Sequence, residues 1–169
     1  MNKADVLKEI IEQRRSIFPK DYTDAEISQE VIDEILHSAT LAPNHKRTKP
    51  WRFKIFKGEE KAKLALEMQA IYKSTQPEQL FLEKKYNDIG FKINKADVVI
   101  SIVVNFSGMV PEWEEIAATS MAVQNMYLTC TANTIGCYWS SPGIVNHLKD
   151  SLTIEENQKC LGLFYMGKV

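Results

Sequence analysis

The sequence predicts a single α+β domain in which helices flank a mixed β-sheet. Three observations carry this: an unbroken β-branched run at Val98–Val104, a nearly charge-free helical stretch from Ile116 to Ala132, and helices and strands that interleave without a regular β-α-β rhythm. The β-branched run is the pattern of a strand covered on both faces, so it should be central. The charge-free helix must be buried nearly all round, against the sheet, another subunit, or both. At 169 residues, 44% of them hydrophobic, the chain fits one domain over residues 1–169, with a core that needs no disulfide and no structural metal.

The elements follow in order. Val6, Leu7, Ile10 and Ile11 recur at helical spacing between Ala4 and Arg14, with Lys8, Glu9 and Glu12 opposite, and two arginines close that helix. Pro19 and the polar stretch to Asp24 form a loop, after which Thr23 with Glu26, or Ser28 alone, is placed to cap the next helix. That helix turns Val31, Ile32, Ile35, Leu36 and Ala39 inward and stops before Pro43. Asn44 to Pro50 is polar and basic, and Trp51–Phe56 then alternates large apolar with basic residues, as a strand with one exposed face does.

Gly58 ends the strand, and a helix runs from Glu59 to about Lys73. Pro77 opens a weaker helical segment through Phe81 and Tyr86, and the stretch from Lys73 to Lys95 leaves room for a mobile lid. Pro111 stands where a helix start tolerates it, and Glu112, Glu114 and Glu115 favour the positive end of the helix dipole. Cys137–Trp139 reads as a short strand before a turn at Pro142-Gly143, and Leu161–Met166 as the last strand.

Composition excludes several function classes. Lys plus Arg at 21 against Asp plus Glu at 22 leaves a net charge of −1, so no global field recruits nucleic acid or an anionic membrane. No apolar run reaches bilayer length, and the charged N-terminus reads as that of a cytoplasmic protein. Cys130, Cys137 and Cys160 form no C-x-x-C pair and sit beside no histidine, so the thiols are assigned to packing and no metal site is expected.

Several apparent motifs carry no chemistry. Gly162–Lys168 spells G-x-x-x-x-G-K, but Val169 replaces the Ser or Thr that would hold a metal ion and the residues between are strand-like. No G-x-G-x-x-G or G-x-S-x-G occurs, Asn105-Phe106-Ser107 is a strand-end loop, and His37 and His147 stand alone.

Two basic stretches remain. Arg14-Arg15-Ser16 closes a helix, where arginines neutralise the negative end of the dipole. Pro43-Asn44-His45-Lys46-Arg47 reads by itself as a solvated loop. Together they suggest more, because two guanidinium groups and a hydroxyl suit a phosphomonoester while a proline-broken polar loop offers hydrogen bonds to a planar heterocycle. A small nucleic-acid module using Lys46, Arg47, Lys49, Trp51 and Arg52 is the competing reading, disfavoured by the neutral total charge and the apolar second half.

At these stretches the sequence resembles the FMN-dependent nitroreductase family, whose members open with R-R-S and continue with A-P-x-x-x-x-x-Q-P-W-x-F. The counterparts are Arg14-Arg15-Ser16 and Ala42-Pro43 through Pro50-Trp51-Arg52-Phe53. The short bacterial branch of the YdjA type adds A-P-D-H-K and P-x-W-E-x-E, whose counterparts here would be Ala42–Lys46 and Pro111-Glu112-Trp113-Glu114-Glu115. The likeness runs on through Gly136-Cys137-Tyr138-Trp139-Ser140-Ser141 and Gly162–Gly167, and so covers nearly the whole chain in order.

The resemblance implies a homodimer with one FMN in each of two interface clefts. Arg14, Arg15 and Ser16 of one chain would hold the FMN phosphate, ribityl chain or pyrimidine edge, Pro43, Asn44 and His45 would reach the flavin from the other chain, and Trp139, Ser140 and Ser141 would line it. NAD(P)H would supply a hydride to flavin N5, and a planar small-molecule acceptor would take it away, with no catalytic side chain required. The sequence departs from the pattern at Lys49, where Gln is usual, and at Arg47, where Asn is frequent, and it ends at Val169 where family members continue into a basic tail. These departures motivate the alternative of a flavin-binding protein without efficient reductase activity.

Overall fold

The computed structural model describes residues 2–169. The Asn2 side chain accepts the Asp5 amide (3.0 Å) and starts helix α1, Lys3–Gln13. Helix α2, Gln29–Thr40, begins after Ser28, which holds the cap position although its hydroxyl makes no capping bond. Strand β1 is Trp51–Phe56, followed by helices α3, Gly58–Thr75, and α4, Glu83–Lys95. Strand β2 is Val98–Asn105, helix α5 is Glu112–Ala132, and strands β3, Ile135–Ser140, and β4, Gln158–Lys168, complete the chain. Short 3-10 turns lie at Pro19–Asp21, His45–Arg47, Glu78–Leu80 and Gly143–His147.

The sheet order is β1-β2-β4-β3, and all three pairings are antiparallel. The expected mixed sheet is therefore corrected to an antiparallel one among the described residues. The connections explain it. Two helices, α3 and α4, join β1 to β2, so the chain returns to the end it left and β2 runs back along β1. The single helix α5 makes β2 and β3 run the same way, but β4 inserts between them, so no parallel neighbours meet.

The sheet is covered on both faces. On one side α2 and α5 pack Ile32, Ile35, Ala122, Val123 and Met126 against Val98, Ile100, Ile102 and Phe164. On the other, α3 and α4 bring Leu64, Met68 and Ile93 onto Phe56, Val99, Val103, Leu163 and Tyr165. Val98–Val104 is thereby buried throughout, the central strand that the sequence predicts.

Two expectations are modified. α4 packs on α3 with Gly90 and Ile93 buried, and the rings of Tyr72, Phe81 and Tyr86 lie in succession (5.6 and 5.9 Å), so the stretch expected as a lid is a helix anchored in the second core. α5 is covered by the sheet and α2 on one side only. Trp113 is 67% exposed and Met121 41%, while α1, lying against α5, buries no residue and leaves Leu7 and Ile11 half out.

Candidate functional site

The first predicted group forms around Tyr127 of α5. The Arg14 guanidinium lies 5.3 Å from the centre of the Tyr127 ring, and the Trp139 backbone N–H donates to the Tyr127 hydroxyl (2.6 Å). One tyrosine thus brings Arg14-Arg15-Ser16 beside Trp139-Ser140-Ser141, which lie more than a hundred residues apart in sequence. Nothing in the sequence marks it, because a tyrosine in an apolar helix reads as core.

Arg15 partly follows the ordinary reading of a helix-end arginine: one of its guanidinium nitrogens donates to the carbonyls of Glu12 (2.6 Å) and Arg14 (2.8 Å). Among the described residues neither Arg14 nor Arg15 enters an ion pair, and Ser16 is exposed. Two cations and a hydroxyl without a carboxylate partner suit an anion.

The chain after Ser16 is tied down. Ile17 N–H donates to the Cys137 carbonyl (3.0 Å), and the Tyr22 hydroxyl donates to the Ile17 carbonyl (2.7 Å). The Tyr22 ring lies on Gly136 and Gly167, which face each other across β3 and β4; a Cβ at Gly136 would sit 2.8 Å from the ring, and one at Gly167 would also clash with it. Burial pushes the Tyr22 hydroxyl far above its ordinary range, so it stays a donor. Both glycines belong to segments that the sequence singles out, but the tyrosine they make room for reads there as part of a loop.

A second device places Trp139. β4 bulges where Ile102 pairs with Gly162 and Val103 with Cys160, leaving Leu161 unpaired against β2. The bulge lets the Leu161 carbonyl accept the Trp139 indole N–H (3.2 Å). Gly162, at φ +140°, sits directly under the Ser140 carbonyl and the Trp139 indole nitrogen.

The second predicted group, Pro43, Asn44 and His45, lies at the other end of α5. With Trp113, Glu114 and Met121 these residues line a hollow of about 300 Å³. Lys46, Arg47 and Lys49 all have positive φ (51°, 54° and 45°), a left-handed conformation that lysine and arginine rarely adopt. Such strain persists only where surrounding bonds impose it, and it gathers at functional sites. Here the Asn44 side chain accepts the Lys49 amide (2.9 Å), Lys46 Nζ donates to the Met109 carbonyl (3.1 Å), and His45 Nδ1 lies 2.5 Å from a carboxylate oxygen of Glu114.

The two groups do not meet within one chain. Glu114 and Tyr127 are separated by about 20 Å along α5, at roughly 1.5 Å per residue. The structure therefore unites Arg14, Arg15, Ser16, Trp139, Ser140 and Ser141 at one end, and Pro43, Asn44 and His45 at the other.

Beside Ser140 a hollow of about 550 Å³ opens between α3 and α4, with Tyr72, Lys85, Lys92, Tyr138 and His147 in its wall. A larger one, about 1010 Å³, lies over the outer face of α3 away from every predicted residue. Its wall contains the bond set that fixes the loop after Ser141. The Glu67 carboxylate accepts the amides of Lys149 (2.8 Å), Asp150 (3.0 Å) and Ser151 (2.8 Å).

Burial pushes the Glu67 carboxyl up, but these bonds and the Ser151 hydroxyl outweigh it and hold the group below the usual carboxylate range. A lowered folded-state value means stabilisation that is fully present above the unfolded value, roughly pH 4.3, and lost as pH falls through the folded one. Glu67→Ala is expected to lower stability by about 1–2 kcal/mol at neutral pH. Urea denaturation at neutral pH and at about pH 3 checks this: the difference should shrink in acid.

A model of the nitroreductase family matches residues 11–168. The chain belongs to the nitroreductase family. The nitroreductase-family protein YfhC of Bacillus subtilis, provisionally named an NAD(P)H nitroreductase, is 29% identical over 173 residues, which cover 99% of this chain and 86% of that protein. YdjA of Escherichia coli, also provisionally named an NAD(P)H nitroreductase, is 26% identical over 144 residues, covering 82% and 75%.

Among solved structures, a nitroreductase-like family protein from Bacillus cereus superposes with a TM-score of 0.79 at 25% identity, covering 99% of this chain and 88% of that one. The FMN-dependent nitroreductase NfnB of Mycobacterium smegmatis, in complex with NADPH, shares the fold (TM-score 0.78, 16% identity, 99% and 89% covered). So does a provisionally named nitroreductase from Desulfovibrio desulfuricans in complex with FMN (0.69, 24%, 99% and 86%).

Proposed function

We propose that the protein is an FMN-dependent NAD(P)H oxidoreductase of the nitroreductase or quinone-reductase type, cytoplasmic and acting as a homodimer on a planar acceptor. The observation that carries this reading is the split site: a family member whose two predicted cofactor-contacting groups stand about 20 Å apart along α5. Two chains packed through the exposed side of α5 and α1 would bring one group of each chain to the other group of its partner. Trp113, Met121, Leu7 and Ile11 give that packing its apolar surface. No helix among the described residues is long and apolar enough to cross a membrane.

The residues fit FMN. Arg14, Arg15 and Ser16 would hold the phosphate or pyrimidine edge, free of competing carboxylates. Trp139, Ser140 and Ser141 would line the ring system, fixed by Tyr127 and the β4 bulge, and His45 with Pro43 and Asn44 would close the cleft from the partner. When bound, FMN supplies the hydride chemistry between nicotinamide and acceptor. The arginines add a positive field that favours a reduced, more negative cofactor. The named neighbours that bind FMN and NADPH support the same reading.

The test is the visible spectrum of protein incubated with FMN and desalted, before and after anaerobic NADPH or NADH. A retained flavin spectrum that bleaches is expected. A retained spectrum that does not bleach identifies a flavin-binding protein without efficient reductase activity, and a colourless protein overturns both readings.

A further inference from the structure

Three glutamates open α5, and they do different things. Glu112 is exposed. Glu115 is buried and accepts the Ser107 amide (3.0 Å), closing the loop before the helix. Glu114 reaches back to the loop after α2, placing Oε2 2.5 Å from His45 Nδ1. Its side chain is 23% exposed against 58% for His45, so the carboxylate is the sheltered, fixed partner and the imidazole the presented one.

A carboxylate only accepts, so the proton between the two atoms belongs to His45 Nδ1. That bond leaves Nε2 as the ring nitrogen without a hydrogen-bond partner among the described residues, on a side chain that lines the hollow with Pro43, Asn44, Trp113 and Met121. The loop that carries His45 is constrained as well. His45 leads into the left-handed Lys46-Arg47 pair, and the Lys46 bond to Met109 ties this loop to the one preceding α5.

We propose that Glu114 is the positioning residue of His45, fixing its tautomer and ring orientation so that Nε2 is presented to the bound flavin. This deepens the FMN reading and rests on it for the identity of the ligand, though the tautomer itself does not depend on flavin. It also gives the Pro111–Glu115 segment a physical role, since Trp113 walls the hollow and Glu114 aims the group within it.

The test has two arms. In flavin-free protein, at a pH where the ¹⁵N spectra show a singly protonated ring, imidazole resonances assigned with His45→Ala should place the proton on Nδ1. Glu114→Ala should shift it toward Nε2, the preference of free histidine, and Glu114→Gln, which still offers a carbonyl acceptor, should restore it. For FMN binding, Glu114→Ala should raise Kd about tenfold, Glu114→Gln should recover most of that, and in the His45→Ala background Glu114→Ala should add nothing further.

A wild-type His45 protonated on Nε2 alone overturns the proposal. So does a Glu114→Ala protein that binds FMN like wild type while His45→Ala does not. If no variant, nor the wild type, retains FMN, the flavin reading falls, and the ¹⁵N result alone decides whether Glu114 sets the tautomer.

Discussion

Arg14→Ala is expected to strip FMN from the purified protein while leaving the fold intact. Deleting a charged hydrogen-bond donor to a phosphate removes about 1.5–3 kcal/mol of binding, which is roughly a tenfold to hundredfold rise in Kd. The effect on stability should be much smaller, because the guanidinium lies over the Tyr127 ring, a contact of about 0.5–1 kcal/mol at a partly exposed position, and enters no ion pair among the described residues. Arg15→Ala should show the opposite balance. That side chain bonds the Glu12 and Arg14 carbonyls and so serves the end of α1 as well as the ligand. Flavin fluorescence titrations beside thermal melts separate the two, and an unchanged Kd in both variants would remove the phosphate assignment.

Gly162→Ala is expected to be the most damaging single methyl in the sheet. At φ +140° an L-residue is strained by about 1–3 kcal/mol, and the new Cβ would run into the Ser140 carbonyl and approach the Trp139 indole nitrogen to 2.6 Å. Backbone cannot swing aside as a flexible side chain does, so β3 must separate from β4 at the point where Trp139 and Ser140 are positioned. We expect a loss of at least about 3 kcal/mol of stability together with loss of flavin retention. Gly143→Ala is the control, since its Cβ would meet nothing within 4 Å. Denaturation within about 1 kcal/mol of wild type would show that the bulge absorbs the methyl.

Much of the fold is legible because burial leaves a one-dimensional trace. Val98–Val104 lacks alternation since both of its faces are covered, and that alone locates the centre of the sheet. Strand direction leaves no such trace: antiparallel neighbours follow from one connection holding two helices and another holding one, with β4 inserted between β2 and β3. The predicted cofactor residues are legible as charges and polar groups in short motifs. Their supports are not. Tyr22 and Tyr127 are ordinary aromatics until the Tyr22 hydroxyl is seen to tie down the Ile17 carbonyl and the Tyr127 hydroxyl to hold the Trp139 amide, and Glu67 is one of many helical glutamates until the amides of Lys149–Ser151 fold onto it. The left-handed Lys46, Arg47 and Lys49 are invisible in the sequence because no glycine advertises them.

The placement of the two half-sites at opposite ends of α5 has a genetic corollary. In the proposed dimer, a chain carrying Arg14→Ala and a chain carrying His45→Ala are each defective in a different half. Mixed and reassociated, they should form heterodimers in which one cleft inherits both lesions and the other inherits neither. Two inactive preparations should then regain up to half of the flavin capacity of the heterodimers they form, whereas a site complete within one chain would give no rescue at all.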